Sequence, residues 1–255
     1  MLKMPVLFIG HGSPMNAIDD NKYTREWKDI ALRIPRPSAI LSVSAHWYTA
    51  GTRVMDNANP KMIYDMYGFP RELYEVVYPA HGAPELAKQA NKLLGGISQL
   101  DHGWGFDHGT WSVLNVMYPA ADIPVFQVSV DQNAIPETHY EIGRRIAPLR
   151  EQGVLILGSG NVVHNLGLVE FGREGGYLWA DEFDRVIAHA VRSGDHQKVV
   201  DYWQAGECAR KSVPILDHYA PLLAVLGAAG QQEDIQVFNE ECTLGSISMT
   251  SYLIG

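Results

Sequence analysis

The chain has 255 residues, 46% of them hydrophobic, which is enough for one sizeable core. Its formal net charge of −9, with no concentrated basic run, argues against a nucleic-acid partner, because a phosphate backbone would meet net repulsion. No apolar run approaches the length of a membrane span, so no membrane partner is expected.

Met1 to Val6 leads directly into an apolar run and carries none of the ordered parts of a signal peptide. Cys208 and Cys242 lie far apart and form no Cys-x-x-Cys motif, which predicts buried free thiols in a reducing cytoplasm. The first strand, Pro5 to Ile9, ends in Gly10-His11-Gly12-Ser13-Pro14, a cluster of chain-bending residues. Ligands of α/β proteins gather beyond the carboxyl ends of strands, so His11 is a candidate metal ligand or acid/base group.

Tyr23, Trp27, Ile30, Ala31 and Ile34 follow helical spacing from Asn21 to Ile34, and Pro35 ends the helix. Ala39 to Trp47 is a second apolar strand that finishes at His46. Strand, helix, strand in this order predicts a right-handed parallel unit, which would bring His11 and His46 to one sheet edge. Gly51 to Met55 reads as a short strand, Asn57 to Tyr67 as a loop, Arg71 to Tyr78 as a strand, and Pro84 to Leu94 as an amphipathic helix. Asp101 to Trp111 crowds three glycines, two tryptophans and two His-Asp neighbours into one segment, which suggests a lid or wall for a flat ligand.

Ser112 to Met117 is expected to be helical, Val125 to Val130 a strand and Glu137 to Leu149 a helix. Val154 to His164 repeats the opening theme of buried strand, glycine turn and histidine. Gly158-Ser159-Gly160 is not a dinucleotide fingerprint, because its third glycine would fall on Val163. Helices are expected at Tyr177 to Arg192, Asp195 to Trp203, and from Asp217 to near Gly227; strands at Ile235 to Phe238 and Gly245 to Leu253. The alternation predicts a single α/β domain over residues 1–255, with a mostly parallel or mixed central sheet and helices on both faces.

Metalloprotease, P-loop and nucleophile-elbow motifs are all absent. Of ten histidines, His11, His46, His108, His164 and His218 stand at predicted chain turns. Neutral imidazole suits Fe(II) and Zn(II), so these residues point to a mononuclear metal enzyme.

The ordered set Gly10-His11-Gly12-Ser13-Pro14, Ser44-Ala45-His46-Trp47, Tyr78-Pro79-Ala80, Asp107-His108-Gly109-Thr110-Trp111, Gly158-Ser159-Gly160-Asn161 with His164, and Asp217-His218-Tyr219-Ala220-Pro221-Leu222 resembles the class III extradiol ring-cleavage dioxygenases, and within them the 4,5-DOPA dioxygenase-like branch. The likeness covers nearly the whole chain. It implies His11, His46 and His218 as metal ligands and His164 as a further ligand or the acid/base group. His108 would contact substrate or the oxygen intermediate. The remaining histidines (His81, His102, His139, His189 and His196) are read as structural or surface residues.

The resemblance further implies one divalent metal, Fe(II) for activity with Zn(II) as the alternative occupant. The partners would be a small aromatic diol and O2, and the product a ring-opened semialdehyde. Assembly into a homo-oligomer is left open. An all-histidine set departs from the usual two histidines and one carboxylate and is more at home with zinc, which has no redox chemistry. Two other readings therefore stand beside it: a zinc-dependent hydrolase, and a non-catalytic binding module on the same fold.

Overall fold

A computed structural model describes residues 3–230 and 232–255; Met1 and Leu2, part of the N-terminal segment read above, and Gln231 lie outside it. The strands are β1 (Val6–Gly10), β2 (Ala39–Thr49), β3 (Thr52–Met55), β4 (Ser98–Asp101), β5 (Val125–Asp131), β6 (Val154–Gly160), β7 (Ile235–Phe238), β8 (Cys242–Thr243), β9 (Ile247–Ser248) and β10 (Ser251–Ile254). Eight of them form one sheet in the order β4-β3-β5-β2-β6-β1-β10-β7. Its centre is parallel, with β2 pairing β5 and β6, and β1 pairing β6. Both flanks turn antiparallel, at β3 against β5 and at β10 against β1 and β7. The sheet is therefore mixed. Val6 to Ile9, Ile40, Leu41 and Val154 to Leu157 are wholly buried, as strands covered on two faces must be.

The helices are α1 (Lys22–Arg33), α2 (Arg71–Tyr74), α3 (Pro84–Leu94), α4 (His108–Met117), α5 (Pro136–Ile146), α6 (Leu178–Arg192), α7 (His196–Val200), α8 (Glu207–Ser212) and α9 (Ala220–Ala228). Strand alternation tells which face each central helix covers. Val43 and Gly158 are register partners, and a side chain at Gly158 would meet Pro221 and Val225, so α9 lies on that face. Ser44 and Ser159 are the next partners and point the other way. The Ser159 hydroxyl donates to the Gly109 carbonyl at 2.6 Å and Ser42 bonds Thr110 at 2.9 Å, so α4 lies on the opposite face. Helices on both faces are thus seen as expected.

Three expectations change, and one strand was not foreseen. Arg71 to Tyr78 is no strand: Pro70 opens the one-turn helix α2, burial does not alternate along the stretch, and Val77 is exposed. The polar segment Ser98–Asp101 does form a strand, through parallel pairing with β3. The helix from Glu137 stops at Ile146, before Pro148, and continues as a 3-10 turn through Gln152. Gly245 to Leu253 divides into β9 and β10. Among the described residues, no helix is long and apolar enough to cross a membrane. Both cysteines are free and buried.

Candidate metal centre

β1 and β6 run side by side to Gly10 and Gly160, and the next backbone hydrogen bond, from His11 N–H to the Gly160 carbonyl at 3.0 Å, carries His11 just past the sheet edge. β2 reaches the same edge but breaks step with β5 between Ser44 and Tyr48, so Ala45 to Trp47 bulge out of the ladder. A bulge re-aims side chains. Here it turns His46 toward His11, and their Nε2 atoms stand 3.2 Å apart.

The two helices that sandwich the sheet begin at this edge. On one face, the Asp107 carboxylate caps α4, accepting the Thr110 N–H at 3.2 Å and the Ser44 hydroxyl at 2.5 Å. Gly109 allows the close approach, because an added Cβ would lie 2.5 Å from Ser44 Oγ and 2.8 Å from His46 Cδ2. The ring of His108, the first residue of α4, consequently lies 3.7 Å from that of His46, centroid to centroid.

On the other face, the turn before α9 closes over Gly160, where any side chain would collide with the His218 carbonyl. That carbonyl accepts the Asn161 N–H at 2.9 Å. His164 is held by its own N–H to the Ser212 carbonyl at 2.9 Å and by a bridge to Ile247. Its ring stacks on that of His218 at 3.4 Å. The five histidines singled out in the sequence therefore meet in one cluster. His81, His102 and His189 are exposed, while His139 and His196 are buried outside that cluster.

The partners of the rings fix where their lone pairs point. The Ser159 hydroxyl spends its proton on Gly109, so it accepts from His11 Nδ1 at 3.0 Å. His11 is then the Nδ1–H tautomer, with its lone pair on Nε2. Asp65 Oδ2 lies 3.1 Å from His46 Nδ1, and Asp217 Oδ1 lies 3.0 Å from His218 Nδ1, out of line for a full hydrogen bond. His218 Nε2 is buried without any partner.

Burial, reinforced by the neighbouring rings, holds the pKa values of His11 and His218 well below the ordinary imidazole value. Burial brings His164 down to about 4 against the opposing pull of Asp217, and lowers His108 as well. Asp65 is held below the usual carboxylate range: burial would raise it, but hydrogen bonding to His108 and His46 outweighs this.

Imidazole lone pairs facing each other at 3.2 Å would repel unless a cation lay between them. One ligand nitrogen from each of His11, His46 and His218 lies within 4.8 Å of the other two. Three imidazole nitrogens, those of His11 and His218 buried and that of His218 without a partner, fit a single divalent transition-metal ion. Asp65 and Ser159 were not foreseen as parts of this site. Asp65 lies in an aperiodic loop, and Ser159 inside a glycine motif that drew attention for its turn. Asp101 to Trp111 is not an open loop: it is buried from Gly105 onward and enters α4 at His108, with Trp104 stacked on the core residue Trp47 at 5.3 Å.

The fold and site thus define an α/β protein with a histidine cluster beyond its strand ends, supplied from both faces of the sheet. The family described as the catalytic LigB subunit of aromatic ring-opening dioxygenase matches residues 5–254, and the chain belongs to it. It is 46% identical to "4,5-DOPA dioxygenase extradiol" of Escherichia coli (strain K12), over 99% of this chain and 95% of that protein. It is 37% identical to the protein of the same description from Beta vulgaris, over 96% of this chain and 94% of the relative. The crystal structure of an uncharacterized protein from Escherichia coli K12 superposes with a TM-score of 0.86 at 42% identity, covering 99% of this chain and all of the other. This chain is accordingly an oxidoreductase of the extradiol ring-opening class, which sets aside the hydrolase and binding-module readings.

Proposed function

We propose that residues 1–255 act as one catalytic domain that opens the ring of a small catechol of the 4,5-DOPA type, with Fe(II) held by His11, His46 and His218. The facing Nε2 atoms of His11 and His46, with the unpartnered Nε2 of His218, are the observation that carries this assignment. Both atoms of O2 enter the product and one ring bond beside the diol breaks, leaving an open semialdehyde with no external reductant. When bound, Fe(II) would supply the open positions for diol and O2 and the electronic path between them.

The remaining work falls to the chain. A catechol must lose a proton as it binds, and His164 would accept it. Its ring is neutral at pH 7 because burial depresses its pKa to about 4. Asp217, close enough to His164 to oppose that depression, would balance the positive charge once the proton arrives. The same ring can return a proton to the opening product. His108 stands beside His46 and would accept a hydrogen bond from the diol. His164 could alternatively act as a fourth ligand, and metal content separates the two roles: an acid/base His164 can be removed without metal loss.

The test is anaerobic loading with Fe(II), then L-DOPA or a simpler catechol in air, following O2 uptake and the yellow ring-opened product together. One O2 per product is expected, with activity lost in His11→Ala through metal loss. His164→Ala should fall at least about 10²-fold with iron retained. Zn(II)-loaded protein should take up no O2, since zinc has no accessible second oxidation state. Iron-loaded wild type that consumes no O2 with any catechol would overturn the proposal.

A further inference from the structure

Asp65 belongs to the loop between β3 and α2, yet it reaches into the histidine cluster and touches it three times. Its Oδ1 accepts the backbone N–H of His108 at 2.9 Å. Its Oδ2 lies 3.1 Å from His46 Nδ1 and 3.0 Å from His108 Nδ1. The contact with His108 is not a full hydrogen bond, since its buried Nδ1 has no well-aligned partner.

Distance and charge still decide the tautomer. An ionised carboxylate has only lone pairs to offer, and it would be repelled by a lone pair 3 Å away. Both Nδ1 atoms must therefore carry protons. In a neutral ring the Nε2 atom is then the only one left to bind a metal or accept a proton.

We propose that Asp65 is a positioning residue that fixes the Nδ1–H tautomer of His46 and His108 together, so that one carboxylate presents a metal-ligand lone pair and a substrate-side acceptor at once. The metal and diol parts of this statement rest on the function proposed above; the tautomers do not. Asp65 therefore does for His46 what Ser159 does for His11, and it ties that ligand to the first residue of α4. The assignment also gives the otherwise irregular segment Asn57 to Tyr67 a role in the site.

Asp65→Asn keeps the shape but cannot keep the function. One of its two terminal atoms becomes an NH2, while the carboxylate it replaces faces N–H groups at both oxygens. Asp65→Glu keeps the acceptor character and serves as the rescue.

The measurement is long-range 1H–15N NMR of 15N-histidine-labelled protein at pH 7.5, metal-free and Zn(II)-loaded, with His46 and His108 assigned by single replacement. In the wild type both rings should show protonated Nδ1 and unprotonated Nε2. In Asp65→Asn at least one ring should leave that state, and Zn(II) affinity should fall by about 10- to 100-fold. Asp65→Glu should recover part of both.

An Nε2–H tautomer at either ring of the wild type would overturn the proposal without any variant, so a poorly folding Asp65→Asn does not shield it. Unchanged tautomers and unchanged Zn(II) affinity in a folded Asp65→Asn would overturn it equally. Wild type that shows the expected tautomers but opens no catechol would instead count against the proposed function. A catechol-cleaving wild type whose Asp65→Asn form behaves identically would count against Asp65 alone.

Discussion

Removing the Ser159 hydroxyl should loosen the hold on a metal without touching a ligand. That hydroxyl is wholly buried between the Gly109 carbonyl and His11 Nδ1, and it is the group that leaves the His11 lone pair on Nε2. In Ser159→Ala the ring is free to turn or to change tautomer, and a buried carbonyl loses its donor. Metal affinity should drop by roughly 10-fold or more, as for other outer partners of ligating histidines. Stability should fall by about 1–3 kcal/mol, the usual effect of an unsatisfied buried group. Competitive metal titration and urea unfolding of the metal-free protein measure the two effects, and a variant with wild-type affinity would show that packing alone orients His11.

The five histidines were legible in the sequence because each follows an apolar run or borders a glycine or aspartate turn. Their partners were not legible. Ser159 and Asp65 act through a single atom placed by tertiary packing, and no local pattern encodes such a placement.

At the scale of elements, the site depends on α4 starting very close to the end of β2. Gly109→Ala would insert a methyl group 2.5 Å from Ser44 Oγ and 2.8 Å from His46 Cδ2. Neither neighbour can yield freely, since Ser44 donates to the helix cap Asp107 and His46 faces Asp65. The first turn of α4 should shift outward at a cost of about 1–3 kcal/mol, in the range of other overpacked sites. His108 would be carried away from His46. Catechol turnover should suffer more than the thermal midpoint does, and a melting curve with parallel O2-uptake kinetics reads both.

The same close packing explains what was legible among the elements. Strands β1, β2, β5 and β6 announce themselves as continuous apolar runs because both of their faces are covered. Strand β4 is polar and sits at the sheet edge, where pairing with β3 rather than burial defines it. The stretch from Arg71 to Tyr78 has strand-like residue types but is buried only at Leu73 and Tyr78, and no strand pairs with it, so nothing outside it imposes an extended ladder.

For the whole molecule, the cluster is an acid-sensitive keystone, because two remote buried groups act on acid stability in opposite directions. His139 is buried on α5, and desolvation takes its pKa from 6.5 to about 4. Between those values the unfolded chain binds the proton more readily, so folding stability declines as pH falls through that window, by about 3 kcal/mol in all. Asp184 is buried on α6, where it accepts from Ser248 and Thr250, and burial lifts its pKa from 3.8 to about 6. Its native form holds the proton more tightly, so the penalty present above pH 6 is relieved on acidification, by a similar amount of about 3 kcal/mol.

These two contributions oppose each other and largely cancel, which leaves the depressed values of His11, His164 and His218 to set the acid limb of the metal-free protein. Urea unfolding at pH 7 and pH 5 should therefore show a loss of stability in the metal-free wild type. That loss should shrink in His139→Met and grow in Asp184→Asn. A bound divalent metal stabilises only the native cluster, so loading should raise the midpoint at pH 7 by more than at pH 5, where protons compete for the same nitrogens. Equal acid sensitivity in all three metal-free proteins would mean that neither remote group titrates differently on folding. A metal increment independent of pH would mean that the ion is not held by imidazole.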